Sequence, residues 1–180
     1  MEFEDDAFVL NARPHGEAGA IVEFLTASHG KYAAHVAGGA SRRIKPFLQP
    51  GAQVIARFRA RMSDQLGSAT LEPVGEGPSA LFDDPLALAG LAAAASVAAG
   101  ALPEREPHPG AYFAFEALTR VLAYPDIWPA VFVRFEVGLL EELGFGLDFS
   151  KCAATGGLDD LIYVSPKTGR AVSRAAGQPY

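Results

Sequence analysis

The sequence predicts an α+β chain in which a small barrel of five short strands precedes a set of packed helices. Three observations carry that expectation. β-Branched and aromatic runs broken by turn residues fill roughly the first 75 positions, the composition changes abruptly at EGPSALFDDP, and beyond it large apolar residues recur at helical spacing.

Phe8 to Leu10 opens the strand set. Ala20 to Thr26 (AIVEFLT) suits a pleated surface, Ser28 to Gly30 supplies a turn, and Lys31 to Ala37 completes a hairpin. The stretch GGASRRIKPFLQPG then interrupts the pattern with Gly38-Gly39, Pro46 and Pro50-Gly51, which predicts a loop with one helical turn around Pro46 to Gln49. Val54 to Met62 and Ser68 to Val74 are the last two strands, joined by the turn SDQLG. Five strands with a loop or short helix between the third and fourth is the order of an OB-fold barrel.

Pro85 suits the first position of a helix capped by Asp83 or Asp84, and Pro103 ends it. No charge falls between Pro85 and Pro103, a length that reaches the membrane-span threshold. Ala and Gly dominate it, however, and its flanks Asp83, Asp84, Glu104 and Glu106 carry a single Arg105, so a buried core helix is expected. Phe115, Leu118 and Leu122 mark a second helix; Phe132, Phe135, Leu139 and Leu143 mark a third, with Gly144 as its terminator. Within the third, Arg134 is either a snorkelling or ion-paired side chain or a receiver for a partner's acidic tail. Residues 151–180 are turn-rich, with a strand at Leu161 to Ser165. The expected division is a barrel domain at 1–78, an all-α domain at 79–150 and an irregular tail at 151–180.

A net charge of −6 argues against a protein that coats nucleic acid with its whole surface. The distribution says more than the total. Lys31 to Arg61 holds seven cations and no Asp or Glu, while the other eight of the 15 Lys and Arg share the remaining chain with all 21 acids. In VIARFRARM, strand alternation places Val54, Ala56, Phe58, Ala60 and Met62 on one face and Arg57, Arg59 and Arg61 on the other. Their spacing of about 6.6 Å suits successive phosphates. Arg42, Arg43 and Lys45 sit on the preceding connection, where Gly38, Gly39 and Ser41 offer backbone N–H groups and a hydroxyl to an anion. Together, with Lys31 assisting, these cations are candidates to line a nucleic-acid groove. The alternatives are a solvated strand face beside a loop charged for solubility, and an adaptor whose basic face takes an acidic peptide or subunit. Tyr32 and Phe47 are candidates either to stack on bases or to pack inside the barrel.

Catalytic chemistry finds little support. One cysteine, Cys152, excludes an intrachain disulfide and a cysteine-rich zinc site within the chain, and nothing nearby predicts a reactive thiol. The four histidines lack metal-ligand spacing, and no phosphate loop, nucleophile elbow or paired-carboxylate motif is present. A small hydrolase using His15 and Glu17 is the remaining enzymatic option, so the expectation is no enzyme, no catalytic residue and no cofactor. The acidic start MEFEDD is unlike a signal peptide, which predicts a cytoplasmic protein.

Four stretches in order, RPHGEAGAIVEFLTASHGK at 13–31, GGASRRIKPFLQPG at 38–51, LLEELGFGLDFSKCAATG at 139–156 and YVSPKTGRAVS at 163–173, resemble the RecO recombination mediator family. The resemblance implies an N-terminal OB-fold, a helical C-terminal domain and a non-enzymatic role in recombinational DNA repair. It further implies binding of single- and double-stranded DNA, strand annealing, and loading of RecA together with RecR on strands covered by single-strand binding protein. The acidic tail of that protein would meet the helical domain, and the protein would associate with the nucleoid. Many relatives carry a zinc module opening with C-x2-C where this chain has Cys152-Ala153-Ala154-Thr155, so no zinc is expected here. Members usually extend beyond the position of Tyr180, which predicts that this chain stops short of them.

Overall fold

A computed structural model of the chain describes residues 1–39, 41–62, 65–75, 77–81 and 83–178. Five strands close a barrel: β1 Glu2–His15, β2 Gly19–Thr26, β3 Gly30–Val36, β4 Gln53–Arg59 and β5 Gly67–Pro73, ordered β1-β2-β3-β5-β4. All neighbours are antiparallel except β3 and β5. This is the expected OB-fold order, with a 3-10 turn at Lys45–Leu48 between β3 and β4. β4 pairs with β1 on one side and with β5 on the other, so it is not an edge strand and edge protection is not the reason for its arginines.

Alternation fills the barrel. Ala7 and Val9 of β1, Ala20, Val22 and Phe24 of β2, Ala34 and Val36 of β3, and Val54, Ala56 and Phe58 of β4 form one buried cluster with Leu48 from the connection. Two strands differ from expectation. β1 begins six residues before Phe8, because MEFEDD continues the pairing with β4 out to Glu2 opposite Arg59. β4 stops at Arg59, so Arg61 lies beyond the strand, and Met62, expected among the inward residues, is exposed. The turn SDQLG includes Ser63 and Asp64, which lie outside the described residues.

Helices α1 Pro85–Ala101, α2 Pro109–Val121 and α3 Trp128–Glu142 follow. Asp84 caps α1, its Oδ1 accepting from the N–H groups of Leu86 and Ala87 at 3.0 Å. The expectation of a buried core helix is overturned: Ala87, Leu91, Ala94, Ala95 and Ala98 form one covered stripe, whereas Leu86 and Val97 are exposed. Alanine is short enough to leave such a face in water at little cost. None of the helices among the described residues is long and apolar enough to cross a membrane.

The chain divides into compact units at Met1–Phe135 and Glu136–Tyr180. The first unit joins barrel and helices because Phe8, 2% exposed, points outward from β1 and meets Tyr112 and Phe115 of α2 with ring centroids 5.4 Å apart. Gly30 anchors a second seam. Its φ is +77°, and a Cβ there would lie 1.9 Å from the Glu106 carbonyl oxygen, so only glycine fits this turn. In the second unit, β6 Leu161–Val164 pairs with β7 Ala171–Ser173, and the short helix α4 Arg174–Gly177 follows.

Candidate nucleic-acid interface

The basic connection is built so that its charges project outward. The Ser41 N–H donates to the Gly38 carbonyl at 2.8 Å, the Lys45 N–H to the Ser41 carbonyl at 2.9 Å, and the Phe47 N–H to the Ile44 carbonyl at 2.9 Å. That winding turns Ile44, Phe47 and Leu48 onto the barrel core and leaves Arg42, Arg43 and Lys45 exposed. The turn also takes up backbone donors expected for an anion, since the Gly39 N–H goes to the Val36 carbonyl and the Ser41 N–H to the Gly38 carbonyl, while the Ser41 hydroxyl accepts from the Ile44 N–H at 3.3 Å and keeps its own O–H to donate. Side chains, not the backbone, hold the positive charge available here.

The strand cations have a different setting. Pairing between β1 and β4 places Glu4 opposite Arg57 and Glu2 opposite Arg59. The Arg57 Nε donates to Glu4 Oε2 at 3.0 Å and the Arg59 Nη2 to Glu2 Oε1 at 2.9 Å. The Arg59 guanidinium holds the Glu2 carboxyl below its usual range, and Glu2 in turn raises Arg59. Both pairs are well exposed, with Arg57 at 61% and Arg59 at 72% side-chain exposure. Sequence reasoning missed these partners because it started the first strand at Phe8; the period-two spacing of Glu2, Glu4 and Asp6 was the available signal.

Lys31 is occupied elsewhere. Its Nζ donates to the Ala99 carbonyl in the last turn of α1, where a cation also complements the helix dipole. Tyr32 packs against Phe3 and Phe58 with the Arg105 guanidinium 5.7 Å from its ring centroid, and Phe47 packs on the barrel core.

The seven cations adjacent in sequence are therefore not one group in space. Glu2, paired with Arg59, and Arg13, which borders a cleft with Lys45, lie at opposite ends of β1. Eleven residue steps separate them, along a strand that bends at the bulge between Val9 and Asn11. The loop cations and the strand arginines mark two regions of the barrel surface.

His15 and Glu17 are exposed at the β1–β2 turn, and His15 meets the His35 ring edge-on at 5.7 Å. Arg134 is exposed on α3. In the second unit Cys152, 1% exposed, takes a hydrogen bond from the Ser173 N–H at 3.3 Å and lies 3.5 Å from the Ser173 hydroxyl. Hydrogen bonds from Ser173 and then Thr155 push its thiol down to about 6. Among the described residues no three His, Cys, Asp or Glu gather as a metal-holding group.

A family model described as Recombination protein O N terminal matches residues 1–75, and one described as Recombination protein O C terminal matches residues 83–180. The chain is 79% identical over 180 residues to the DNA repair protein RecO of Phenylobacterium zucineum, covering 100% of this chain and 74% of that protein. The RecO of Caulobacter vibrioides is 75% identical over 180 residues with the same coverage. That of Rhodospirillum centenum is 52% identical over 182 residues, covering 100% of this chain and 72% of the relative. With a closed five-stranded barrel followed by helices and both family models matched, the chain belongs to the RecO family of DNA repair and recombination proteins.

Proposed function

We propose that this protein is a non-enzymatic DNA-binding recombination mediator whose barrel contacts the sugar–phosphate backbone of single- and double-stranded DNA. The exposed triplet Arg42, Arg43 and Lys45, presented outward by the turn at Lys45–Leu48, carries the proposal. Arg61 extends the second basic region, where Arg57 and Arg59 contribute by exchanging a carboxylate for a phosphate. Lys31, bonded to Ala99, supports the fold rather than the ligand. A basic surface lowers the repulsion between two strands by releasing counterions, which is the physical basis for annealing. Family membership supports the further roles: action with RecR, loading of RecA on strands covered by single-strand binding protein, contact with that protein's acidic tail, and work at the nucleoid in the cytoplasm.

Anisotropy titrations with single-stranded DNA at several salt concentrations test the assignment. Arg42→Glu/Arg43→Glu is expected to weaken binding at least about tenfold and to flatten the salt dependence, since each phosphate contact contributes about 0.7 to the slope on single strands. Unchanged affinity and slope would refute it. One observation favours the adaptor alternative: Arg57 and Arg59 already donate hydrogen bonds to carboxylates. Binding of an acidic peptide without measurable affinity for DNA would decide for the adaptor.

A further inference from the structure

The barrel has an overhang. β1 pairs with β4 only as far as Phe8 opposite Gln53, whereas its pairing with β2 continues to His15 opposite Gly19. Ala12 to His15 therefore stand beyond the start of β4, and between them and the turn at Lys45–Leu48 lies a cleft of about 280 Å³. Arg13 and Lys45 border it; Pro14, Ala20 and Leu48 supply apolar wall. Gly39 closes one side so tightly that a Cβ there would lie 2.7 Å from the Ala20 Cβ. Among the described residues no carboxylate lines this cleft, whereas the two clefts beside Arg59 both carry Glu2 on their walls.

We infer that the Arg13–Lys45 cleft binds one nucleotide unit of a single strand, with the two cations on its backbone phosphates and the apolar wall against a base. The inference rests on the DNA-binding reading and names where the strand is held. Three features select this ligand. The cations are not neutralised by lining acids, so phosphates are the complementary charge. A base in a single strand has a free face to lay against the exposed Pro14 ring, an apolar contact that reads no base edge and so tolerates any sequence. A volume below about 300 Å³ is small for a ligand pocket and suits one unit of a polymer whose flanking phosphates remain outside. Arg42 and Arg43, exposed on the same connection three and two residues before Lys45, are the cations this inference assigns to those neighbouring phosphates. Arg13 lies outside the acid-free stretch of the sequence and comes to the site only because β1 outruns β4.

The experiment is an anisotropy titration of labelled oligothymidylate with the full chain at several salt concentrations, with circular dichroism to verify folding. Arg13→Ala is expected to bind about five- to tenfold more weakly with a salt slope lower by about 0.7, and Arg13→Lys to retain most of the affinity. An abasic oligonucleotide of equal length is expected to bind the unmodified chain more weakly than oligothymidylate. If Arg13→Ala matches the unmodified chain in affinity and slope while Arg42→Glu/Arg43→Glu binds poorly, the cleft is overturned and the DNA-binding reading stands. If the unmodified chain does not bind the oligonucleotide even at low salt, the reading falls and takes the cleft with it.

Discussion

Cys152 shows how neighbours override a residue's ordinary chemistry. A thiol this buried would be expected to titrate high, because desolvation disfavours the thiolate. Hydrogen bonds from Ser173 and Thr155 outweigh that effect and push it from 9.0 down to about 6. The folded state thus favours the thiolate. Its contribution to stability is fully present above about pH 9 and is lost as the pH falls through about 6. Ser173→Ala removes the first of these donors. The thiolate should then titrate at higher pH in ultraviolet absorbance, and the melting temperature should depend less on pH between those limits.

At the scale of the element, strand pairing decides which charges are free. The row on β4 reads as bare cation only until β1 is laid beside it, when Glu2 and Glu4 fall opposite Arg59 and Arg57. Such exposed pairs are weak and exchangeable, so they reduce a ligand's advantage without abolishing it. Glu2→Gln/Glu4→Gln should therefore tighten single-stranded DNA binding by about two- to fivefold and steepen the salt dependence. Affinity unchanged from the parent chain would show that the β4 region takes no phosphate. The same pairing explains why the connection at Arg42 to Lys45, which has no facing strand, is the stronger candidate.

At the scale of the whole molecule, barrel and helices of the first unit share a seam. Phe8 stands outside the barrel yet is buried, because α2 covers it with Tyr112 and Phe115. Burial pushes the Tyr112 hydroxyl up to about 12, with Asp6 and Glu116 adding to the effect. Removing the Phe8 ring leaves a void that packed neighbours cannot fill. Phe8→Ala should cost about 3 to 5 kcal/mol in chemical denaturation, and strand and helix signals should be lost together. Separate transitions for barrel and helices would show that the seam does not couple them.

The sequence by itself determined the order of the main elements, the short turn between β3 and β4, a cap at Asp83 or Asp84 and the OB-fold class. These follow from local turn chemistry and from periodicities of two and about 3.6 residues, both written into neighbouring positions. It also identified seven cations in an acid-free stretch, but not their arrangement. Only the tertiary structure assigned Lys31 to the end of α1, set Glu2 and Glu4 against Arg59 and Arg57, and brought Arg13 beside Lys45. Charges act through distance in space, and in a closed barrel that distance is set by strand register and by how far one strand outruns the next. Neither quantity is visible in a linear count of charges.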